Sequence, residues 1–169
     1  NFLRDLETYG IDNAISMQGG RDYFLNLSIG RKEPFFISIE MTNDAQGGRF
    51  ISDSENNRHI SFGLSRVRYD LEITFNQRGK GFKVTYDVLD ITYNVIEYVK
   101  KVKSKKHQEN ELPPILITLI NSGGKIKASY SGDDKHIVSL LKDSIPPLRE
   151  FFAKDKCATI ITHPYLPIF

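Results

Sequence analysis

The sequence predicts an α+β fold: a largely antiparallel sheet of hairpins, about seven to eight strands, with two principal amphipathic helices. Three observations lead there. Apolar and polar residues alternate over most of residues 14–86, the period of half-buried strands. Short Gly-, Asn- and Pro-containing turns separate these runs, and they are too short for parallel crossovers. Two longer windows, 88–102 and 133–145, carry apolar residues three and four apart, the spacing of an amphipathic helix.

The chain opens with Phe2, Leu3, Leu6 and Tyr9 at helical spacing behind Asn1, an N-cap type, and Gly10 closes this short helix. Next, Tyr23, Leu25, Leu27 and Ile29 alternate with Phe24, Asn26 and Ser28. After the turn at 30–34, Phe35, Ile37, Ile39 and Met41 alternate with Phe36, Ser38 and Glu40, which makes a hairpin. Residues 43–57 are polar and Gly-rich and read as a long loop. A strand resumes at Ile60, Phe62 and Leu64. The clearest strand follows, with Val67, Tyr69, Leu71, Ile73 and Phe75 on one face and Arg66, Arg68, Asp70, Glu72 and Thr74 on the other. A one-residue slip would bury that charged row, so its register is pinned.

The turn at 77–81 leads into Phe82, Val84 and Tyr86. Val88, Ile91, Val95, Val99 and Val102 then step by three and four behind Asp87 and predict a helix of about four turns. Residues 104–114, rich in Lys and Glu and ending in Pro113-Pro114, read as a connector. It divides one globular domain, 1–169, into a larger N-terminal half, 1–103, and a smaller C-terminal half, 115–169. In the latter, Ile115–Ile120 and Lys125–Tyr130 form a hairpin over Asn121-Ser122-Gly123-Gly124. Asp133 or Asp134 caps a helix through Ile137, Val138, Leu140, Leu141 and Ile145. Pro146-Pro147 starts a further turn with Leu148, Phe151 and Phe152, and a last strand at 158–162 precedes the Pro-punctuated tail 163–169. Residues 73–86 and 117–130 also echo each other at an offset of 44, sharing Ile, Thr, Gly, Lys and Tyr. Each copy is followed by one of the two predicted helices, so the sequence suggests a pseudo-duplicated strand-strand-helix unit.

Length and composition narrow the class. With 169 residues, 40% of them hydrophobic, the chain can bury a core without metal or disulfides. No apolar run approaches the roughly 20 residues of a spanning helix, so no membrane association is expected. The start, Asn1-Phe2-Leu3-Arg4, lacks an initiator Met, a basic segment and an apolar signal core, and reads as a domain cut from a longer chain. One cysteine, Cys157, excludes an internal disulfide and fits an intracellular home, cytoplasm or nucleus.

Catalytic and cofactor signatures are absent from the sequence. No GxxxxGK[ST] or GxGxxG is present; Arg78-Gly79-Lys80-Gly81 and Gly123-Gly124-Lys125 sit in hairpin turns without the helix N-terminus that cradles phosphate. His59, His107, His136 and His163 lack metal-ligand spacing, and Cys157 lacks a CxxC partner, so neither metal nor cofactor is expected. An enzyme would need a dispersed site, best sought in the loop 43–57 with Asp44, Arg49, Asp53 and Glu55.

Charge points instead to binding. Residues 1–99 hold 11 Lys and Arg against 14 Asp and Glu, and residues 100–169 hold 12 against 7, so the halves carry −3 and +5. Lys100, Lys101, Lys103, Lys105 and Lys106 form the densest basic run. On the sheet, Phe24 and Phe36 with Arg66 and Arg68 offer stacking and clamp groups, while Arg78, Lys80, Lys83, Lys125 and Lys127 add positive field. The first functional expectation is therefore a non-catalytic nucleic-acid-binding domain preferring RNA or single strands over duplex. The alternative is a protein interaction or assembly domain, which the apolar tail residues Tyr165, Leu166, Ile168 and Phe169 would serve.

Overall fold

A computed structural model describes residues 2–20, 22–24, 33–43, 48–76, 81–100, 107–122, 125–144 and 159–160. Helix α1 (Phe2–Met17) is followed by strands β1 (Phe35–Thr42), β2 (Arg49–Asp53), β3 (Arg58–Phe75), β4 (Phe82–Lys100), β5 (His107–Ser122) and β6 (Lys125–Ser131), then helix α2 (Lys135–Ser144). The class is α+β, dominated by one antiparallel sheet of six strands among the described residues. Its order is β1-β3-β4-β5-β6, and β2 pairs with β3 beyond the end of β1.

Burial is one-sided. Val67, Tyr69, Leu71, Ile73 and Phe75 of β3 lie in the core with Leu89, Ile91 and Val95 of β4 and Ile115, Ile117 and Leu119 of β5. The helices close this face with Leu6, Ile11, Ala14 and Ile15 of α1 and Ile137, Val138 and Leu141 of α2. At Gly10, φ 78 and ψ 169 interrupt α1, but the chain resumes helical turns and does not stop there as its glycine suggests. Asp134 begins α2, its Oδ1 accepting the His136 and Ile137 backbone N–H groups at 2.8 and 3.2 Å.

Several sequence expectations are corrected. The segment expected as the helix 88–102 belongs to β4, paired with β3 on one side and β5 on the other. Its valines do recur at three and four residues, but Leu89, Ile91 and Val95 face the core while Val88 is buried on the opposite side. A central strand apolar on both sides imitates helical spacing, and the β-branched Val84, Val88, Ile91, Thr92, Val95, Ile96 and Val99 favour the pleat. The duplicated strand-strand-helix unit fails with it, since the first copy continues as strand.

Residues 107–114 of the expected connector are the first half of β5. Pro113 and Pro114 sit where the pairing shifts between Tyr93↔Ile115 and Val95↔Leu112, two residues against Asn94. They also lie before Leu116, where pairing with β6 starts, so their missing N–H groups cost no ladder bond. Within the expected loop 43–57, Arg49–Asp53 is β2. Residues 22–24 form a helical turn, and Phe24 is 2% exposed, packed edge-on against Phe2 and Phe35 at centroid distances of 5.2 and 4.7 Å. The remainder of the expected strand 23–29 and the segments 145–158 and 161–169 lie outside the described residues. Thr159 and Ile160, placed by sequence in a last strand, are a bend and a 3₁₀ position, both fully buried.

Ile160 is tied to the sheet by a buried acid. Asp87, 1% exposed, accepts the Asn121 side-chain amide at 2.8 Å and the Ile160 backbone N–H at 2.9 Å, both through Oδ2. Its Oδ1 and the nearby Tyr69 hydroxyl are buried without a hydrogen bond of normal geometry. Burial raises the Asp87 carboxyl above its ordinary range, and burial followed by the Asp87 charge raises the Tyr69 phenol. Asp87→Ala should lower the unfolding free energy by about 2–4 kcal/mol, because the buried Ile160 N–H and the half-buried Asn121 amide lose their acceptor. Urea unfolding checks this; an unchanged midpoint would show that the tie carries no stability.

Candidate functional site

The face of the sheet opposite the helices is open among the described residues. Pairing registers place Phe36, Ser38 and Glu40 of β1 beside Glu72, Asp70 and Arg68 of β3, and these beside Tyr86, Val88 and Asp90 of β4. Ile120 and Thr118 of β5 continue the rows, followed by Lys127 and Ser129 of β6.

The middle of this face neutralises itself. Arg66 Nη2 lies 2.6 Å from Glu40 Oε2, and Arg68 Nε lies 3.0 Å from Asp70 Oδ2. Ser38 donates to Asp70, and Thr118 Oγ1 donates to Asp90 at 2.6 Å. The Arg68 guanidinium is held further toward its charged form, first by the Asp70 hydrogen bond and then by the Asp70 charge. Both arginines expected to clamp a backbone therefore already have carboxylate partners.

The end of this face where β3 gives way to β4 and β5 to β6 differs. Phe36, Tyr86 and Ile120 are 51, 46 and 44% exposed. Lys83, Lys125 and Lys127 are exposed beside them, and none is ion-paired to a described carboxylate. Glu72 stands between Phe36 and Tyr86 and accepts a hydrogen bond from Thr85 Oγ1. At the far end of the same face Phe50, 65% exposed, packs on Tyr98 at a centroid distance of 5.7 Å.

The expected basic field is thereby divided. Lys83, Lys125 and Lys127 belong to one end of the sheet, and Lys100 ends β4 at the other, a strand of 19 residues spanning roughly 60 Å. Arg78 and Lys80 lie outside the described residues, as do Lys101, Lys103, Lys105 and Lys106 in the stretch between the paired Lys100 and His107. No helix precedes that run, so it cannot serve as helix-end capping. Phe24 belongs to the core, and only Phe36 of the expected stacking pair faces out. Tyr165, Leu166, Ile168 and Phe169 also lie outside the described residues.

Tyr86 and Ile120 escaped sequence reasoning. Between Ile73↔Val84 and Glu72↔Tyr86 the register shifts, leaving Thr85 as an extra residue. The alternation that sends Phe82 and Val84 inward then sends Tyr86 outward and Asp87 inward. The available signal was Asp87 itself, since an acid two residues before Leu89 on a core-facing row marks a break in pattern.

A second polar cluster occupies the helix side, where β2, β3 and β4 meet α2. The buried Asp53 carboxylate accepts from Arg58 Nε at 2.9 Å and Asn56 Nδ2 at 2.9 Å, and its Oδ2 lies 3.0 Å from His136 Nε2. Arg58 Nη1 reaches Glu97 Oε1 at 2.9 Å, and Asn110 Nδ2 donates to Glu97 Oε2 at 3.1 Å. Arg58 is the main cause that holds both acids below their ordinary range, so neither is suited to release or take a proton near neutrality. A small cavity of about 110 Å³ adjoins it, walled by Glu97, Leu112, Ile115 and Ile137 among others. The loop region named as the place for an enzyme site thus supplies an ion-paired brace between strand and helix.

Among the described residues no group of three or more His, Cys, Asp or Glu is placed to hold a metal, and no helix is long and apolar enough to cross a membrane. Comparison with family models, curated proteins and solved structures found no match.

The brace sets a pH dependence. Asp53 and Glu97 have lowered folded-state pKa values, so their stabilisation is present above the unfolded carboxylate range near 4 and is lost as pH falls. Asp87, raised by burial, has the opposite sign: its contribution is complete in acid and lost as pH climbs through its folded value. Asp53→Asn should lower the melting temperature at pH 7 and flatten its decline between about pH 5 and 3. Melting curves across that range test this, and an unchanged acid slope would remove Asp53 from the account.

Proposed function

We propose that this domain is a non-catalytic recognition module that docks an acidic protein partner on the turn end of the open sheet face. The observation that carries the reading is the patch of exposed Phe36, Tyr86 and Ile120 flanked by the unpaired Lys83, Lys125 and Lys127. An apolar centre with a charged rim is the anatomy of a protein interface. Lysines without carboxylate partners favour an acidic one, and the paired charges of Arg66 and Arg68 next to the patch would repel neither sign strongly. Glu72 between the two rings opposes a phosphate chain crossing them.

A second reading is a single-stranded nucleic acid, favoured by two exposed rings beside three free lysines. The two differ in salt dependence, because phosphate contacts release counterions and an apolar interface does not.

Fluorescence anisotropy should be measured with a labelled peptide of alternating Glu and Leu and with a labelled oligouridine of equal charge, each at two salt concentrations. The peptide is expected to bind more tightly, with Tyr86→Ala and Phe36→Ala each weakening it about tenfold. Both side chains are exposed, so folding should survive the substitutions. Tighter oligouridine binding with a steep salt slope would transfer the patch to nucleic acid. Absence of both interactions would overturn the face as a docking site.

A further inference from the structure

A larger cavity lies on the other, helix-covered side of the sheet, away from the docking patch. Its volume is about 650 Å³, within the roughly 300–1,000 Å³ of small-molecule sites. One wall is a single face of the C-terminal part of α1 and the turn beyond it, where Asp12, Ile15, Ser16 and Gly19 follow at spacings of three, one and three. The opposite wall is aromatic: Phe75, which ends β3, and Phe82, which begins β4. Asp22 completes the rim.

Among the described residues two independent features give the lining a negative sign. Asp12 and Asp22 are exposed carboxylates on its lining. The helix ends against it through Gly19, at φ 96, with Gly19 N–H donating to Ser16 O at 3.1 Å and Gly20 N–H to Ile15 O at 2.9 Å. The last turn of α1 contains no basic residue, so the negative end of the helix dipole has no cation within that turn. Ile15 and the two rings meanwhile offer apolar surface that a hydrated metal ion would not use.

We propose that this cavity binds a small organic cation, an ammonium group carried on an apolar body, with Asp12 and Asp22 facing the charge and Phe75, Phe82 and Ile15 facing the body. The site is separate from the docking patch and does not rest on the function assigned to it.

The probes are benzylammonium, its neutral counterpart benzyl alcohol, and benzoate, titrated into the domain at neutral pH and followed by amide chemical shifts and calorimetry. Benzylammonium should bind saturably and at least about tenfold more tightly than benzyl alcohol, with shifts at Ile15, Ser16, Gly81 and Phe82. Asp12→Asn combined with Asp22→Asn should erase that preference and leave the melting temperature unchanged within a degree or two, since both side chains are at the surface. Equal binding of the amine and the alcohol would reduce the site to a plain apolar hollow and overturn the proposal. Preferential binding of benzoate would do the same, by showing that the site is positive. No saturable binding of any probe would overturn it as well.

Discussion

The ladder between β3 and β4, running from His59↔Tyr98 to Phe75↔Phe82, carries the apolar core on one face, while on the other only Ser61, Asp70 and Val88 are buried, and the rest of the molecule answers that asymmetry. Both helices pack on the same side. α1 and the aromatic group of Phe2, Phe24 and Phe35 cover the Phe75 end, and α2 covers the Asp53 end. Ile160, held by Asp87 between them in the ladder, is fully buried. Among the described residues nothing covers the other face, and its cross-strand carboxylates and guanidinium groups satisfy one another in pairs. A self-neutral centre is therefore a consequence of register: the row that keeps Tyr69 and Leu71 inside puts Arg66, Arg68 and Asp70 outside.

Bulges decide which side chains appear on which face. The extra residue Thr85 turns Tyr86 out and Asp87 in, creating both the exposed ring of the proposed docking patch and the buried acid that anchors Ile160. A second irregularity, between Leu64 and Arg66, keeps the aromatic and aliphatic residues on the core side of β3 on both sides of Ser65. The third accommodates Pro113 and Pro114, which cannot donate to a ladder. Long strands need such corrections, because a uniform two-residue alternation does not suit a sheet that twists along its length.

Legibility followed the same logic. The Val67 to Phe75 row was readable because one face is apolar and the other charged, and the β5–β6 pairing because two alternating runs flank a Gly-rich stretch and pair from Leu116↔Ser131 to Ser122↔Lys125. β4 was not readable as a strand. It is central, flanked on both sides and shifted by Thr85, so its apolar positions lose period two and acquire a spurious period of three and four. β2 was hidden by polar composition, since only Phe50 and Ile51 in Arg49–Asp53 are apolar. Of the docking patch, Phe36 and the lysines Lys83, Lys125 and Lys127 were visible in the sequence. Tyr86 and Ile120 were not, because their exposure depends on a bulge and on the absence of a covering layer. The brace brings Asp53 and Arg58 together with Glu97 and His136, 39 and 83 residues from their respective partners, and no local pattern announces such a contact.

The separation of basic groups along the sheet constrains any ligand more than their number does. Screening at physiological ionic strength acts over about 8 Å. Lys83, Lys125 and Lys127 at one end and Lys100 at the other, a strand of 19 residues away, therefore cannot sum into one field for a short partner. A net charge of +2 hides this division. Between the two ends stands a zone in which each guanidinium already faces a carboxylate, so it offers a ligand little net field. Affinity has to be concentrated at one end, and the turn end alone joins unpaired charge to exposed aromatic and aliphatic surface among the described side chains. For the partner proposed above, anchoring by a few apolar side chains with electrostatic orientation from three lysines is the mode this layout favours, because a long uniform contact along the face would have to cross the self-paired centre.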